Sequence, residues 1–299
     1  MKKLLTVITA VLMLTACVSD NSSKCSASSK CDAKSEVSIC TFNIMIQGNK
    51  PHIRKDGMDI SWSKRLPILS TFIKTHNFDI VACQEPIPMQ VEDVKKAIEK
   101  YDLYYKPVRT TMNPSPCNPV YFKKDRFELL DKGEFYYSKT PEVESNDWDS
   151  PRSRCCTWVK LRDKKSGKEF FVFNTHFTHI GKVAKAESAK ILVKKIAEIA
   201  KGVPSFAMGD LNSIPTSKGI QHISNCGFMK DSKIASISEP VGDGASFHGF
   251  RATESPKAMR IDYIFVSSDV EVQSYCLDKK KYGDIPTSDH YPVYIKAKF

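Results

Sequence analysis

The sequence predicts one folded domain of mixed α and β structure. Short apolar runs alternate with helical patterns along most of the chain, and no internal repeat is evident. A chain of 299 residues with 41% hydrophobic residues is also long enough and apolar enough to bury a large core. These observations exclude a chain that is disordered throughout.

Eleven apolar runs predict strands, because most are rich in the β-branched and aromatic residues that strands prefer. They cover residues 37–44, 80–83, 101–107, 119–122, 127–137, 156–162, 170–174, 205–208, 261–266, 270–276 and 293–297. Helices are predicted at 63–75, 91–100 and 183–201. In the last of these, apolar residues recur at helical spacing with lysines between them, which predicts one buried face.

The N-terminus predicts export. Lys2 and Lys3 precede an apolar stretch, residues 4–14, that is too short to span a bilayer and is typical of a signal peptide. The stretch ends in L-T-A-C at 14–17, which resembles a bacterial lipobox. We therefore expect residues 1–16 to be removed and Cys17 to carry a lipid that anchors the protein to a membrane of the bacterial cell envelope. The alternative is an ordinary signal peptide with an incidental cysteine.

Residues 17–35 predict a flexible tether, since almost nothing apolar in this segment can be buried, and the folded domain is expected to cover 36–299. Ten cysteines in an exported chain would suggest disulfides, but lipidation of Cys17 leaves nine, so at least one is unpaired. Cys40 and Cys83 lie in apolar runs and are expected to be buried thiols. Because the sequence has no paired C-x-x-C, no zinc site is expected at the cysteines.

The formal net charge of +11 and the pI near 9.0 favour an anionic partner, such as nucleic acid, phospholipid or a phosphate ester. Much of the excess lies in short lysine runs, such as residues 279–281, which solvated loops also produce. The charge therefore indicates a class of partner without selecting one, and no protein partner is inferred.

Polar residues stand where four of the apolar runs stop. Asn43 ends the first run, Gln84-Glu85 the second, Thr175-His176 the seventh and Gly209-Asp210 the eighth. Strands that end at one edge of a sheet bring such residues together, and loops on a rigid sheet commonly carry active sites. Taken singly, each cluster has an ordinary explanation, such as a turn cap, a surface charge or an Asx turn.

These groups suit hydrolysis of a phosphate ester, where charge on the phosphoryl oxygens and delivery of water dominate the barrier. Glu85 is a carboxylate suited to Mg²⁺, and Asn43 would add a neutral oxygen ligand or hold the attacking group. Asp210 and Asn212 are two residues apart, so on an extended segment they would face the same side. One would orient water and the other would bind a phosphoryl oxygen.

Two histidines complete the set. His290 is a candidate general base or phosphate ligand, because imidazole titrates near neutrality. Asp262 is the carboxylate expected to orient it, which leaves Asp289 to bind metal or to steer His290. His176 is expected to stabilise the transition state.

Six motifs occur in a fixed order: T-F-N-I at 41–44, Q-E at 84–85, N-T-H at 174–176, G-D-L-N at 209–212, R-I-D-Y-I at 260–264 and S-D-H-Y-P-V at 288–293. This series resembles the endonuclease/exonuclease/phosphatase superfamily, which has the deoxyribonuclease I-like fold, and the resemblance covers residues 37–299. It implies a four-layer α/β sandwich, with two mixed β-sheets packed face to face and helices on the outside, and Mg²⁺ or Mn²⁺ at the strand ends. It also implies roles for eight residues: Asn43, Glu85 and Asp289 at the metal, His176 and His290 at the phosphate, Asp210 and Asn212 at the water and phosphate, and Asp262 beside His290.

Two further residues match a bacterial subgroup of secreted or lipoprotein hydrolases in that superfamily. Arg154 resembles an arginine that precedes a strand and would bind the substrate. His248, in S-F-H-G-F at 246–250, would line the substrate pocket. An ordinary loop histidine is the alternative for His248. The chain departs from the subgroup at Met45, where the subgroup usually has arginine, and at Thr178, where it usually has aspartate. Both departures bear on the substrate rather than on the reaction.

The sequence therefore predicts an exported, lipid-anchored hydrolase of phosphate esters that depends on Mg²⁺ or Mn²⁺. Nucleic acid, sphingomyelin and other phospholipids, inositol phosphates and sugar phosphates stay open as substrates, because this fold serves all of them. The alternative from a different class is a catalytically silent lipoprotein that binds phosphate or nucleic acid. That alternative predicts a lost carboxylate or histidine, and the sequence retains all of them.

Overall fold

A computed structural model describes residues 34–48, 50–110, 112, 114–251, 253 and 258–299. The predicted signal peptide, Cys17 and most of the predicted tether lie outside the described residues. Within the described ranges, no helix is both long enough and apolar enough to cross a membrane.

The elements follow one another along the chain as a mixture of strands and helices. In order they are β1 (Glu36–Asn43), α1 (Trp62–His76), β2 (Ile80–Gln84), α2 (Pro88–Ala97), β3 (Tyr101–Tyr104), β4 (Val120–Lys123), β5 (Phe127–Tyr136), β6 (Cys155–Asp163), β7 (Glu169–His176), α3 (Lys182–Ala200), β8 (Ser205–Asp210), α4 (Lys218–Ser224), β9 (Met229–Asp231), β10 (Asp262–Ser267), β11 (Glu271–Leu277) and β12 (Val293–Lys298).

The eleven predicted strands are confirmed, with ends that shift by at most three residues. The largest strand shift is at β3, which ends at Tyr104 rather than at residue 107. The helix α2 begins three residues earlier than predicted because Pro88 occupies its first position, where a missing N–H costs nothing. The prediction lacked α4 and β9, since elements of seven and three residues are too short to show a period.

Two sheets face each other and carry helices on their outer faces. Within the described residues, the first sheet has the order β11-β12-β1-β2-β4-β3 and the second has β5-β6-β7-β8-β10-β9. One core cluster lies between the sheets, and includes Ile39 and Val120 from the first sheet and Val172 and Ile264 from the second. Two further clusters pack α1 and α2 on the first sheet and α3 and α4 on the second. The predicted four-layer α/β sandwich is therefore confirmed.

The parallel pairs of strands place the predicted site residues at one edge. The strands β1 and β2 pair in parallel through the crossover that contains α1, and β7 and β8 pair in parallel through α3. As a result Asn43 pairs with Gln84, and His176 pairs with Asp210, each at the end of its strand.

The seven cysteines in the described ranges are free thiols, and Cys40 and Cys83 are buried as predicted. Burial raises the pKa of both thiols well above the usual value, so they are inert apolar side chains in the core.

Candidate active site

A buried polar network joins the two sheets beneath the strand ends. The Nε2 of Gln84 donates to the Oδ1 of Asn174 at 2.7 Å and to the Oγ1 of Thr41 at 3.0 Å. The Nδ2 of Asn174 donates to the carbonyls of Cys83 and Pro119, each at 2.8 Å. Because buried polar groups without partners are costly, this network fixes how the sheets meet. No role was expected for Asn174, because its partners all lie at least 55 residues away along the chain.

The centre of the site is a contact between His290 and two aspartates. Asp262 starts β10 and pairs directly with Asp210 at the end of β8. The Nδ1 of His290 lies 2.8 Å from the Oδ2 of Asp262, and its Nε2 lies 3.7 Å from the Oδ2 of Asp210. All three side chains are buried. The structure thus brings Asp262 to His290, as the sequence predicts, and adds Asp210 to the same group.

Burial and charge together set the protonation of this group. Burial alone lowers the pKa of His290, but the carboxylates of Asp262 and Asp210 outweigh burial and raise that pKa to about 10. Burial raises the pKa of Asp210 to about 7, with the charge of Asp262 adding to this shift and His290 opposing it. At neutral pH His290 is therefore protonated and directs its Nε2–H at Asp210. In this state it is a hydrogen-bond donor for phosphate oxygens, while Asp210 is the group poised to accept a proton near neutrality.

His176 and Arg154 form a second donor group. The Nη1 of Arg154 lies 3.0 Å from the Nδ1 of His176, and since a guanidinium can only donate, that Nδ1 accepts and the imidazole proton lies on Nε2. This Nε2 faces the Oδ2 of Asp210 at 3.4 Å. Burial lowers the pKa of His176 well below its usual value, and the positive charge of Arg154 lowers it further, so His176 is neutral. Arg154 is therefore placed to fix the tautomer of His176.

Asn43 and Glu85 face Asp210 from the first sheet. The Nδ2 of Asn43 donates to the Oε1 of Glu85 and to the Oδ2 of Asp210, each at 3.1 Å. Its Oδ1 accepts the backbone N–H of Met45 at 3.0 Å. Glu85 has a left-handed φ of 75°, and its Oε2 accepts the backbone N–H of Ile46 at 3.0 Å. Asn43 is thus placed to hold two carboxylates in position, and its expected roles, as an oxygen ligand of the metal or as a holder of the attacking group, stay predictions.

Glu85 and Asp289 are the carboxylates best placed to hold a divalent cation. Burial raises the pKa of Asp289, His290 opposes this shift, and the negative charge of Glu85 adds to it, so the two carboxylates repel each other. The Glu85 side chain is 27% exposed, which leaves room for the waters that Mg²⁺ retains. Two carboxylates that repel each other beside solvent fit a hard cation.

A second set of residues in the site also has side chains that can ligate a metal ion. One ligand atom from each of Asp210, Asp262 and His290 lies within 4.8 Å of the others. The Nδ1 of His290 is already committed to Asp262, however, and burial with both aspartates keeps the ring protonated. Because a bound cation displaces the proton of an imidazole, this group has the ligand types for a metal as well as the groups for proton transfer and phosphate binding.

The chain turns sharply after Asp210, so the premise of an extended segment from 210 to 212 is wrong. Asn212 has a left-handed φ of 48°, and its backbone N–H donates to the Oδ1 of Asp210 at 2.9 Å, which makes the segment an Asx turn. The Nδ2 of Asn212 donates to the carbonyl of Phe177 at 3.1 Å, and the Nζ of Lys185 donates to the carbonyl of Asn212 at 3.0 Å. The turn occupies Oδ1 of Asp210 and leaves Oδ2 facing Asn43 and the two histidines.

His248 lines a cleft of about 380 Å³ that also reaches His290. Its backbone N–H donates to the carbonyl of Asp289 at 2.9 Å, and its ring packs against the ring of Tyr291 with centroids 4.4 Å apart. The structure therefore places His248 at the mouth of the site, and its contact with substrate stays a prediction.

Arg65 is a residue of the site region that the sequence analysis missed. Its side chain is fully buried and donates to the carbonyls of Ile44 at 2.5 Å, Ile60 at 2.8 Å, and Met45 and Thr287 at 3.1 Å each. It ties the loop after β1 to the loop that carries Ser288 and Asp289. One signal could have revealed it, because Arg65 stands in the apolar stripe of α1 with Trp62, Leu69, Phe72 and Ile73.

Comparison with known proteins places this geometry in a family. The family model of the endonuclease/exonuclease/phosphatase family matches residues 58–290 of the chain. An endonuclease/exonuclease/phosphatase family protein from Bacteroides thetaiotaomicron is 27% identical, with a TM-score of 0.82 over 89% of this chain and 99% of that one. The endonuclease/exonuclease/phosphatase from Bacteroides vulgatus is 30% identical, with a TM-score of 0.81 over 88% and 99% of the two chains. A mannosyl-6-phosphatase from Bacteroides thetaiotaomicron is 28% identical, with a TM-score of 0.80 over 88% and 100%.

Proposed function

Because the chain belongs to the endonuclease/exonuclease/phosphatase family, whose members are hydrolases of phosphate esters and generally use a divalent metal, we propose that it is a Mg²⁺-dependent phosphomonoesterase that acts on a phosphorylated sugar. The reaction type rests on the site described above. The substrate class is supported by the similarity to a mannosyl-6-phosphatase, which is 28% identical over nearly its whole length.

One observation carries the reaction. Three donors converge on the Oδ2 of Asp210: the Nδ2 of Asn43 at 3.1 Å, the Nε2 of His176 at 3.4 Å and the Nε2 of His290 at 3.7 Å. A phosphoryl group and an attacking water bound between these residues would find both proton donors and a proton acceptor within hydrogen-bond reach.

The residues divide the work by their protonation. Neutral His176 and protonated His290 donate from Nε2 to phosphoryl oxygens, whose charge grows as the ester bond breaks. Asp210 takes the proton of the attacking water, since burial has brought its pKa close to neutrality. Asp262 keeps His290 oriented and charged. Glu85 and Asp289 would hold the Mg²⁺ or Mn²⁺ ion, which supplies positive charge against the phosphate oxygens when it is bound.

Nucleic acid is the second candidate substrate, and the net charge of +11 favours it. The two candidates differ in the ester, because a sugar phosphate is a monoester and a nucleic acid is a diester. Turnover of one class and not the other therefore decides between them.

The experiment is a substrate panel with the purified chain and Mg²⁺, comprising mannose 6-phosphate, p-nitrophenyl phosphate, sphingomyelin vesicles and plasmid DNA. We expect release of inorganic phosphate from the monoesters, at least about 10³-fold less with Asp210→Asn or His290→Ala, and none in EDTA. Asp243→Asn is the control, because Asp243 is 92% exposed and pairs only on the surface with Lys233. Full activity of both site variants would contradict the mechanism, and cleavage of DNA alone would contradict the substrate class.

We also propose that the protein is exported and anchored to a membrane of the cell envelope through a lipid on Cys17. The support is the sequence of residues 2–17, with two lysines, a short apolar stretch and a terminal cysteine after small residues. In a bacterial expression host, Cys17→Ser should move the protein from the membrane fraction to the soluble fraction of the envelope. An unchanged distribution would contradict lipidation at this residue.

A further inference from the structure

The cleft that opens from His290 is far larger than one phosphoryl group needs. Its volume of about 380 Å³ lies in the range that encloses a whole small molecule. Three segments supply most of its lining, namely residues around Arg54, the turn around Phe250 and the chain from Asp278 to Pro292, and Phe42 and Phe72 complete it. A phosphate held at His290 would occupy only part of this volume, so the cleft has room for the rest of a substrate.

The wall nearest the catalytic residues is held to them by backbone contacts. Phe247 forms a β-bridge with His290, and the backbone N–H groups of His248 and Gly249 donate to the carbonyl of Asp289 at 2.9 and 3.1 Å. Phe250 keeps a left-handed φ of 58°, a costly conformation that the turn sustains. The wall of the cleft therefore keeps a defined position relative to His290.

Aromatic rings form this wall. The His248 ring packs on Tyr291 with centroids 4.4 Å apart, and the Phe250 ring lies edge-on to His248 at 5.6 Å. Phe247 covers His290 at 4.9 Å. Faces of this kind pack well against a sugar or another ring that carries the phosphate.

The lining of the cleft is basic. Five basic side chains line it against three acidic ones: Arg54, Arg251, Lys279, Lys280 and Lys281 against Asp56, Asp278 and Asp284. Two of the acids are already engaged, and one of them neutralises a cation of this set. Asp56 pairs with Arg54 at 2.8 Å, and the buried Asp278 accepts the Tyr282 hydroxyl at 2.6 Å.

Two of the basic side chains that line the cleft also lie against its aromatic rings. The Arg54 guanidinium lies 5.1 Å from the ring centroid of Phe250, and the Lys279 ammonium lies 5.6 Å from that of Tyr291. Such positions are favourable for a cation and limit its movement. Arg54 and Lys279 are thus held against aromatic rings of the cleft.

We infer that this cleft is a subsite for a second anionic group on the same substrate, so that the enzyme prefers a compound of one sugar unit with a phosphate ester at one end and a phosphate or carboxylate at the other. The inference rests on the proposed function for the position of the scissile phosphate. The size of the cleft favours one sugar unit over a nucleic-acid strand, because proteins that bind single strands use grooves that follow about 4–16 nucleotides.

Three probes with one common ester test the subsite: glucose 6-phosphate, 6-phosphogluconate and glucose 1,6-bisphosphate. We expect kcat/KM for at least one of the two doubly anionic probes to exceed that for glucose 6-phosphate by about tenfold or more, the factor that one charge-assisted hydrogen bond supplies. The comparison of phosphogluconate with bisphosphate tells which anion the subsite takes. Equal kcat/KM for all three probes would overturn the inference.

The double variant Arg251→Gln/Lys280→Gln removes two exposed charges from the cleft, and we expect it to reduce this preference about tenfold, mainly through KM. The double variant Lys194→Gln/Lys201→Gln removes two exposed charges at α3 and should keep the preference. A preference that both variants retain would overturn the assignment to this cleft.

Calorimetry with the Asp210→Asn variant separates the subsite from the reaction. Tighter binding of a doubly anionic probe than of glucose 6-phosphate, lost with Arg251→Gln/Lys280→Gln added, supports the subsite even where no substrate turns over. Turnover of all probes without any difference in binding would support the reaction and overturn the subsite. A single-stranded oligonucleotide can be tested as a competitor of glucose 1,6-bisphosphate in the same experiment. If it displaces the bisphosphate, and if Arg251→Gln/Lys280→Gln removes its affinity, the cleft binds a nucleic-acid strand and the inference of a one-sugar substrate is overturned.

Discussion

Replacing Gly209 by alanine tests how tightly the site depends on the pairing of β7 with β8. Gly209 pairs with Thr175 in the parallel ladder and has a φ of 142°, which L side chains rarely adopt. A Cβ built there would lie 1.8 Å from the Thr175 carbonyl oxygen and 2.8 Å from its carbon. Both atoms belong to the backbone, so no side chain can move aside. Relief needs the two strands to separate by more than an ångström.

The cost follows from these distances. A left-handed or otherwise sparsely populated backbone conformation costs about 1–3 kcal/mol. Separation of the strands would also break about two ladder hydrogen bonds, each worth about 0.5–1.5 kcal/mol. We therefore expect Gly209→Ala to lower the free energy of unfolding by about 2–6 kcal/mol. The same movement displaces Asp210 from its register with His176, and a misplacement of about 1 Å can cost about 10²-fold in rate.

Urea unfolding followed by tryptophan fluorescence and kcat/KM on p-nitrophenyl phosphate measure the two effects. Gly167→Ala is the control, because Gly167 also has a positive φ, of 75°, but an added Cβ would meet nothing within 4 Å. This control should lose only about 1–2 kcal/mol and no activity. The reasoning is refuted if both variants lose the same free energy and Gly209→Ala retains its kcat/KM.

Three further predictions concern single side chains. Arg65→Met should lower the free energy of unfolding, measured in urea, by at least about 3 kcal/mol, because it leaves buried carbonyls without a hydrogen-bond donor. The control Arg162→Met replaces a side chain that is 41% exposed and should cost less than about 1 kcal/mol. Equal losses in the two variants would contradict the role of Arg65. Asp262→Asn removes a charge that raises the pKa of His290, so the NMR titration of His290 and the alkaline limb of the pH–rate profile should both move to lower pH. We also expect kcat to fall about 10³–10⁴-fold. A titration of His290 that does not move would contradict its pairing with Asp262. Asp289→Asn should raise the Mg²⁺ concentration for half-maximal activity about 10–100-fold, and an unchanged value would remove Asp289 from the metal site.

The strand-end motifs illustrate what local sequence can predict. Asn43, Glu85, His176 and Asp210 each follow an apolar run, and parallel pairing through a helical crossover brings such positions to one edge. The layers of the fold were predictable because six ordered motifs resemble those of a known superfamily, whereas the alternation of apolar runs with helical patterns predicted only a mixed α and β domain. Short elements such as α4 and β9 escaped, since few residues carry no period.

The role of each residue in the site was harder to predict than which residues lie there. The spacing of Asp210 and Asn212 suggested an extended segment, but the backbone of Asn212 takes a left-handed φ and closes an Asx turn. The side-chain amide of Asn43 carries an oxygen that can bind a metal. In the folded chain this oxygen accepts the backbone N–H of Met45, and the amide nitrogen donates to Glu85 and Asp210. The backbone conformation of Asn212 and the orientation of the Asn43 amide both depend on partners that include residues distant in the sequence.

The sequence by itself determined the fold class, the edge at which the site lies and the side chains that meet there, because periodicity and strand ends are local properties of the chain. The tertiary structure alone decided how those side chains are used. Arg154 sets the tautomer of His176, Asp262 and Asp210 keep His290 protonated, and Arg65 joins two loops more than 200 residues apart. The physical reason is that protonation and hydrogen-bond direction depend on burial and on charges a few ångströms away, which only the folded chain brings together.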